Sequence, residues 1–204
     1  MNHSLTLRKH ETIPGDLIPE IARKCIHALI ALVPAMASFN LSYTALLLMG
    51  GTLFYTFAES LRFLGFAPPL VSSITTAVLR RREKDRFVLG PITLGLGALL
   101  ALILFPPSVA ALAVYILAFA DSAASLVGMF LGRLRPAIMG GKSIEGSAAC
   151  FAAAFLIGFL VYSDYRIALA AGLASVIVDF LPLGDFDNII LPLAAGFSVM
   201  IVRL

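Results

Sequence analysis

Residues 25–58 contain no Asp, Glu, Lys or Arg, and neither do residues 87–120. A charge-free stretch that long does not suit a water-soluble domain, where about a quarter of residues are charged. Each run also exceeds one bilayer crossing, which takes about 20 apolar residues of helix. Each is interrupted once. Ser38, Phe39, Asn40, Leu41 and Ser42 divide the first, and Phe105, Pro106 and Pro107 divide the second. Reading each run as two helices, and adding the apolar stretches that follow Lys142, gives spans near 20–37, 43–64, 88–104, 108–132, 143–162, 166–181 and 188–202. The expected fold is an all-α integral membrane protein of about seven transmembrane helices. A polar lead-in over 1–19 precedes a single transmembrane domain over 20–204.

Composition supports this reading. The chain is 60% apolar and 13% charged, which excludes a disordered chain and a disulfide-stapled secreted module. Its net charge of +3 is no sign of a nucleic-acid partner, because in a membrane protein Lys and Arg mark cytoplasmic loops. Cys25 and Cys150 lie in apolar runs without metal-ligand spacing and are expected to be free thiols filling space. The first residues carry Arg8, Lys9, Glu11 and Asp16 and no apolar core, so no secretory signal is expected.

The basic residues are unevenly divided. Arg8, Lys9, Arg23 and Lys24 precede or open the first span. Arg62, Arg80, Arg81, Arg82, Lys84 and Arg86 lie between the second and third, and Arg133, Arg135 and Lys142 between the fourth and fifth. Only Arg166 and Arg203 fall on the other side. The positive-inside rule then puts the N-terminus in the cytoplasm and the C-terminus outside. In a prokaryote the membrane would be the inner (plasma) membrane. Segment 68–86 is interrupted by Ser72, Ser73, Thr75 and Thr76, with Leu70, Ile74 and Val78 at helical spacing. It reads as an amphipathic helix on the cytoplasmic face. Its basic run either anchors on anionic lipid or touches a phosphorylated ligand.

Ionisable residues within the membrane are costly and are candidates for function. Asp121 lies inside the fourth span, with Ser125, Gly128 and Gly132 following on one small, polar face. It either pairs with a neighbouring helix or serves a ligand. The segment 133–146, RLRPAIMGGKSIEG, brings Gly140, Gly141, Lys142 and Ser143 to the start of an apolar helix. Glycines, a lysine and a helix N-terminus together suit a phosphate. Pro136 stands where a Walker A loop needs glycine. Glu145 is an acid just inside that helix. The last cytoplasmic loop has no Lys or Arg and carries Asp185 and Asp187, with Asp179 just before. Hard oxygen ligands of this kind suit Mg²⁺, which is commonly held by one or two carboxylates plus substrate phosphates. Arg23 and His27 share a face of the first helix, and Glu59 and Arg62 are spaced to pair. All these groups sit at one membrane face, where a phosphorylated ligand, a metal and a lipid can meet.

In the same order, these clusters resemble the CTP-dependent lipid-alcohol kinases: dolichol kinase, phytol kinase and the CTP-dependent diacylglycerol kinase. RKxxH reads Arg23, Lys24, His27, and ExxR reads Glu59, Arg62. A looser basic motif reads Arg82, Glu83 and Gly90. A DxxA…G…GR…GKxxEG arrangement reads Asp121, Ala124, Gly128, Gly132, Arg133, Gly141, Lys142, Ser143, Glu145 and Gly146. DNxxxP reads Asp187, Asn188 and Pro192. Ser143 stands where the family often has Thr, and Asp179 where Glu is common. The central region is also similar to the CDP-diacylglycerol synthases, and RKxxH favours the kinases.

The resemblance implies transfer of the CTP γ-phosphate to a polyprenol, phytol-like prenol or diacylglycerol. The nucleotide region would be about 118–192. Asp121 and Asp187 would hold Mg²⁺, with Asn188 supporting. Arg133, Gly141, Lys142, Ser143, Arg23 and Lys24 would hold phosphates. Glu145 and His27 would position or activate the hydroxyl. The alternatives are a cytidylyltransferase making a CDP-lipid and, more distantly, a small transporter. Glycine-rich helix faces leave room for a homodimer. Asn at position 121 or 187 removes a charge at constant size, and folding is expected to survive either change.

Overall fold

The computed structural model describes residues 17–66 and 86–204. Residues 1–16 of the lead-in and 67–85, with Arg80, Arg81, Arg82, Glu83 and Lys84 of the expected amphipathic helix, lie outside the described residues, and Leu17, Ile18 and Pro19, expected in the lead-in, already open the first helix. Within them every regular element is helical.

Helix α1 (Leu17–Phe39) contains a 3₁₀ turn at Ile30–Leu32, just before Pro34. Proline has no N–H to donate and crowds the preceding turn, so the helix tightens there. Asn40 is extended and ends α1. Its side chain accepts a hydrogen bond from Tyr43 N at 2.9 Å and so caps α2 (Leu41–Phe63). Helix α3 (Gly90–Leu104) stops at extended Phe105, and Pro107 opens α4 (Pro107–Leu131). A hairpin containing Gly140 and Gly141, both at positive φ (61° and 98°), leads to α5 (Ile144–Tyr162). Only glycine adopts such angles without strain. Helix α6 (Tyr165–Phe180) follows a turn capped by Asp164. Helix α7 (Asp187–Val202) follows the 3₁₀ turn Gly184–Phe186.

Helix α4 is the centre of the bundle. Val109, Leu112, Ala113, Val114, Ile116, Leu117 and Ala120 are fully buried on it, and α1, α3, α5 and α7 all touch it. A helix apolar all round is one surrounded by protein. Helix α2 lies outside, showing Leu46, Leu53, Phe54 and Phe57 on its exposed surface. Such a surface suits lipid.

Among the described residues, five helical stretches are long and apolar enough to cross a membrane: α1, α2, α4, α5 and Gly184–Val202. They account for five of the seven expected crossings. Helices α3 and α6 stand where spans were expected, but have 15 and 16 residues. At about 1.5 Å per residue they fall short of a hydrocarbon core about 30 Å thick. The Cys25 expectation also changes: it is exposed, whereas Cys150 is buried.

Both ends of the bundle are polar. At one end Arg203 lies over the Tyr162 ring at 5.1 Å and donates to its hydroxyl, and Arg166 lies over Tyr165. The other end holds the remaining charged clusters.

Candidate functional site

Helix α4 makes a π turn over Ile116–Ala120, immediately before Asp121. The extra residue in that turn rotates the rest of the helix, and such insertions recur at functional sites. Asp121 meets the face of α1 carrying Glu20, Arg23, Lys24 and His27. Lys24 Nζ donates to Asp121 Oδ2, and His27 Nδ1 lies 3.1 Å from the same oxygen. Lys24 and His27 are both buried. Arg23 pairs with Glu20 at 3.1 Å and stands 3.9 Å from Asp185.

The second half of the site is the hairpin between α4 and α5. Glu145 accepts hydrogen bonds from the backbone N of Arg133 and Leu134, and Ile144 N donates to Leu134 O. These contacts close the hairpin. Ser143 Oγ accepts from Gly146 N at 3.1 Å and caps α5. A Cβ on Gly146 would stand 2.6 Å from Ala124 O, so only glycine lets α5 approach α4 here. The Arg135 guanidinium donates to Gly141 O and Gly128 O, bridging hairpin and helix. Lys142 reaches across to the acidic loop. Its Nζ donates to Asp187 Oδ2 at 2.7 Å and to Leu181 O at 3.1 Å, and lies 3.5 Å from Asp179. Ser147 Oγ donates to Asp179.

These clusters line one cavity of about 710 Å³, within the range of about 300–1,000 Å³ common for small-molecule sites. Arg23, His27, Asp121, Gly128, Gly141, Lys142, Ser143, Gly146, Asp179, Asp185, Asp187 and Asn188 all belong to its wall. Arg133 and Glu145 do not. Arg133 points to solvent, and Glu145 is engaged in closing the hairpin. Glu59 and Arg62 are also elsewhere. Fully buried Glu59 holds Arg62 through two 2.7 Å hydrogen bonds and accepts from Val88 N, fixing the entry to α3. Gly132 packs under the hairpin beside Ser143. Asn188 donates to Gly90 O and Thr93 Oγ1, tying α7 to α3.

Two charged lining residues go beyond the sequence expectation. Glu20 is an available signal, lying seven residues before His27 and hence on the same helical face. Arg135 is less legible, because RLRP offers two arginines and no rule for choosing the second.

The wall carries five carboxylates, Glu20, Asp121, Asp179, Asp185 and Asp187, against Arg23, Arg135 and Lys142. A strongly anionic ligand would not enter this balance without a cation. Among the described residues no group of three or more His, Cys, Asp or Glu is set to hold a metal alone. However, Asp187 Oδ1 is buried without a hydrogen-bond partner, a free hard oxygen donor. One or two carboxylates completed by phosphate oxygens is the usual Mg²⁺ arrangement, and this donor set fits it. Arg23 Nε and Arg135 Nε are also buried without a hydrogen-bond partner. Buried polar atoms are rarely left so, and the three residues belong to the same cavity wall.

No family model and no solved structure matches the chain. Over 82 residues, 40% of this chain, it is 34% identical to a CTP-dependent diacylglycerol kinase 1 of Eremothecium gossypii, covering 26% of that protein. Over 134 residues, 64% of this chain, it is 31% identical to an uncharacterized protein of Methanocaldococcus jannaschii, covering 66% of it. The chain thus spans about a quarter of the length of the kinase it resembles.

Proposed function

We propose that this chain is a CTP-dependent lipid kinase, transferring the γ-phosphate of CTP to the hydroxyl of a long-chain alcohol. The observation that carries the reading is the convergence of Arg23 Nε, Arg135 Nε and Asp187 Oδ1, three buried polar atoms without a hydrogen-bond partner, on one cavity. The partial likeness to a CTP-dependent diacylglycerol kinase supports the choice of nucleotide and reaction.

In this reading Asp187, with Asp121, would hold Mg²⁺. The ion would neutralise charge on the transferring phosphate. Arg23, Arg135 and Lys142 bind the other phosphate oxygens, and the Ser143 end of α5 adds the positive end of its helix dipole. The acceptor oxygen bonds to the γ-phosphorus while the bond to the β–γ bridging oxygen breaks, and CDP leaves. The hydroxyl proton goes to a base, for which His27 is the candidate. Phosphoryl transfer asks mainly for positioning and charge neutralisation, which a buried, charged cavity supplies.

Labelled CTP tests the reaction. CTP labelled at its γ-phosphorus should give labelled lipid phosphate and CDP. CTP labelled at its α-phosphorus should leave the lipid unlabelled. Label in a CDP-lipid, with pyrophosphate released, would install a cytidylyltransferase instead.

The orientation belongs to the same proposal. The cavity opens to the cytoplasm, and the N- and C-termini lie on opposite sides, because 13 of the 15 basic residues fall on the N-terminal side. Reporter fusions at both ends check this. Two reporters on one side would remove an odd number of crossings and this orientation with it.

A further inference from the structure

A second cavity of about 260 Å³ lies between α1 and the start of α3. Its wall is mostly hydrocarbon: Ile26, Phe87, Val88, Leu89, Pro91 and Leu94. Arg23, His27 and Asp185 belong to this wall and also to the wall of the large cavity. The two spaces therefore meet at these three side chains. One carries most of the charged side chains, and the other is apolar except where they join and at the exposed Arg86.

We propose that the second cavity holds the hydroxyl end of a single-tailed long-chain alcohol, with the hydroxyl at the Arg23–His27–Asp185 junction. This rests on the kinase reading for its chemistry and adds a substrate class to it. A cavity of about 260 Å³ admits the hydroxyl and the first stretch of a chain, with the remainder leaving into lipid. The lining argues for one tail. A diacylglycerol would bring two ester carbonyls beside its hydroxyl, and the hydrocarbon part of the wall, Ile26, Val88 and Leu94, has no side-chain donor for them. Val88 N is already given to Glu59. The junction also suits a transfer site, because acceptor and donor enter from different sides and meet where a near-attack arrangement can form.

The test uses the full chain in lipid nanodiscs and a single-tailed alcohol carrying a photoreactive group a few carbons from its hydroxyl. Cross-links should map to Ile26 or to residues 86–94. Unlabelled single-tailed alcohol should compete, and dioctanoylglycerol should compete about ten-fold less well or worse. Val88→Trp fills the cavity from a half-buried loop position. It should raise the alcohol KM about ten-fold or more and leave the CTP KM within about two-fold, the pattern of lost acceptor binding. Leu89→Trp, at a more exposed position, repeats the measurement if Val88→Trp folds poorly. Cross-links confined to other helices, or equal competition by dioctanoylglycerol, would overturn the proposal. Cross-linking needs no turnover. Labelling in the cavity without any labelled lipid phosphate would therefore sink the kinase reading and leave the alcohol site standing. Labelled diacylglycerol phosphate without cross-links there would do the reverse.

Discussion

Asp187→Asn should lower lipid phosphorylation by a factor of about 10² or more, the scale of losing one electrostatic contact to a transition state. It should do so in a protein that still folds. Asp187 offers a buried oxygen without a partner, Oδ1, on the wall of the large cavity. Its other oxygen takes Lys142 at 2.7 Å. Asn keeps the size and loses the charge that a metal requires. Lys142 is not stranded by the change, because it keeps Leu181 O at 3.1 Å and Asp179 at 3.5 Å and is partly exposed to solvent. Yield and melting temperature should stay near the parent's. Asp164→Asn is the matched control: Asp164 caps α6 at the opposite end of the bundle, and Asn caps about as well. Near-parental turnover in Asp187→Asn would remove this carboxylate from the site.

The helices were largely legible in the sequence because lipid-facing and core-facing residues are both apolar, so charge-free runs delimit them. The break after Phe39 comes from Asn40, whose side chain caps the next helix. The break after Leu104 comes from the paired prolines, the second of which opens α4. Counting crossings was less secure. Helices α3 and α6 are apolar but short, and a charge-free run does not reveal where its backbone leaves the helical path.

The site was legible as a set of residue types and much less as a set of partners. Asp121, Lys142, Asp187 and the Arg23–His27 face were readable because charge inside an apolar chain is conspicuous. Their pairings depend on the π turn before Asp121 and on close approaches such as Gly146 against Ala124 O. Neither has a strong compositional signature. Glu59, Arg62 and Glu145 share the same polar character, yet their geometry assigns them to holding backbone: the entry to α3 in one case and the hairpin in the other. A motif marks which residues matter and does not separate those that face a ligand from those that shape the wall.

Asp121→Asn should behave differently from Asp187→Asn, and the reason is Lys24. Lys24 is 5% exposed and its ammonium is held by the Asp121 carboxylate. On sequence alone, neutralising Asp121 is expected to spare the fold. The geometry changes that expectation, because Asn would leave a buried lysine without its counter-charge. Breaking one side of a buried pair typically costs about 3–5 kcal/mol, so Asp121→Asn should be purified poorly and unfold early in detergent. Lys24→Met should also destabilise, by leaving the carboxylate with His27 alone at 3.1 Å. Combining the two removes both charges, and replacing a whole buried pair is often neutral. The double variant should therefore recover most of the lost stability while remaining inactive. Recovery of the fold without recovery of phosphorylation separates the structural role of the pair from the role proposed for Asp121 with the metal. If Asp121→Asn alone melts like the parent, the pair is not supporting the fold. If the double variant phosphorylates lipid at the parental rate, Asp121 has no part in the chemistry.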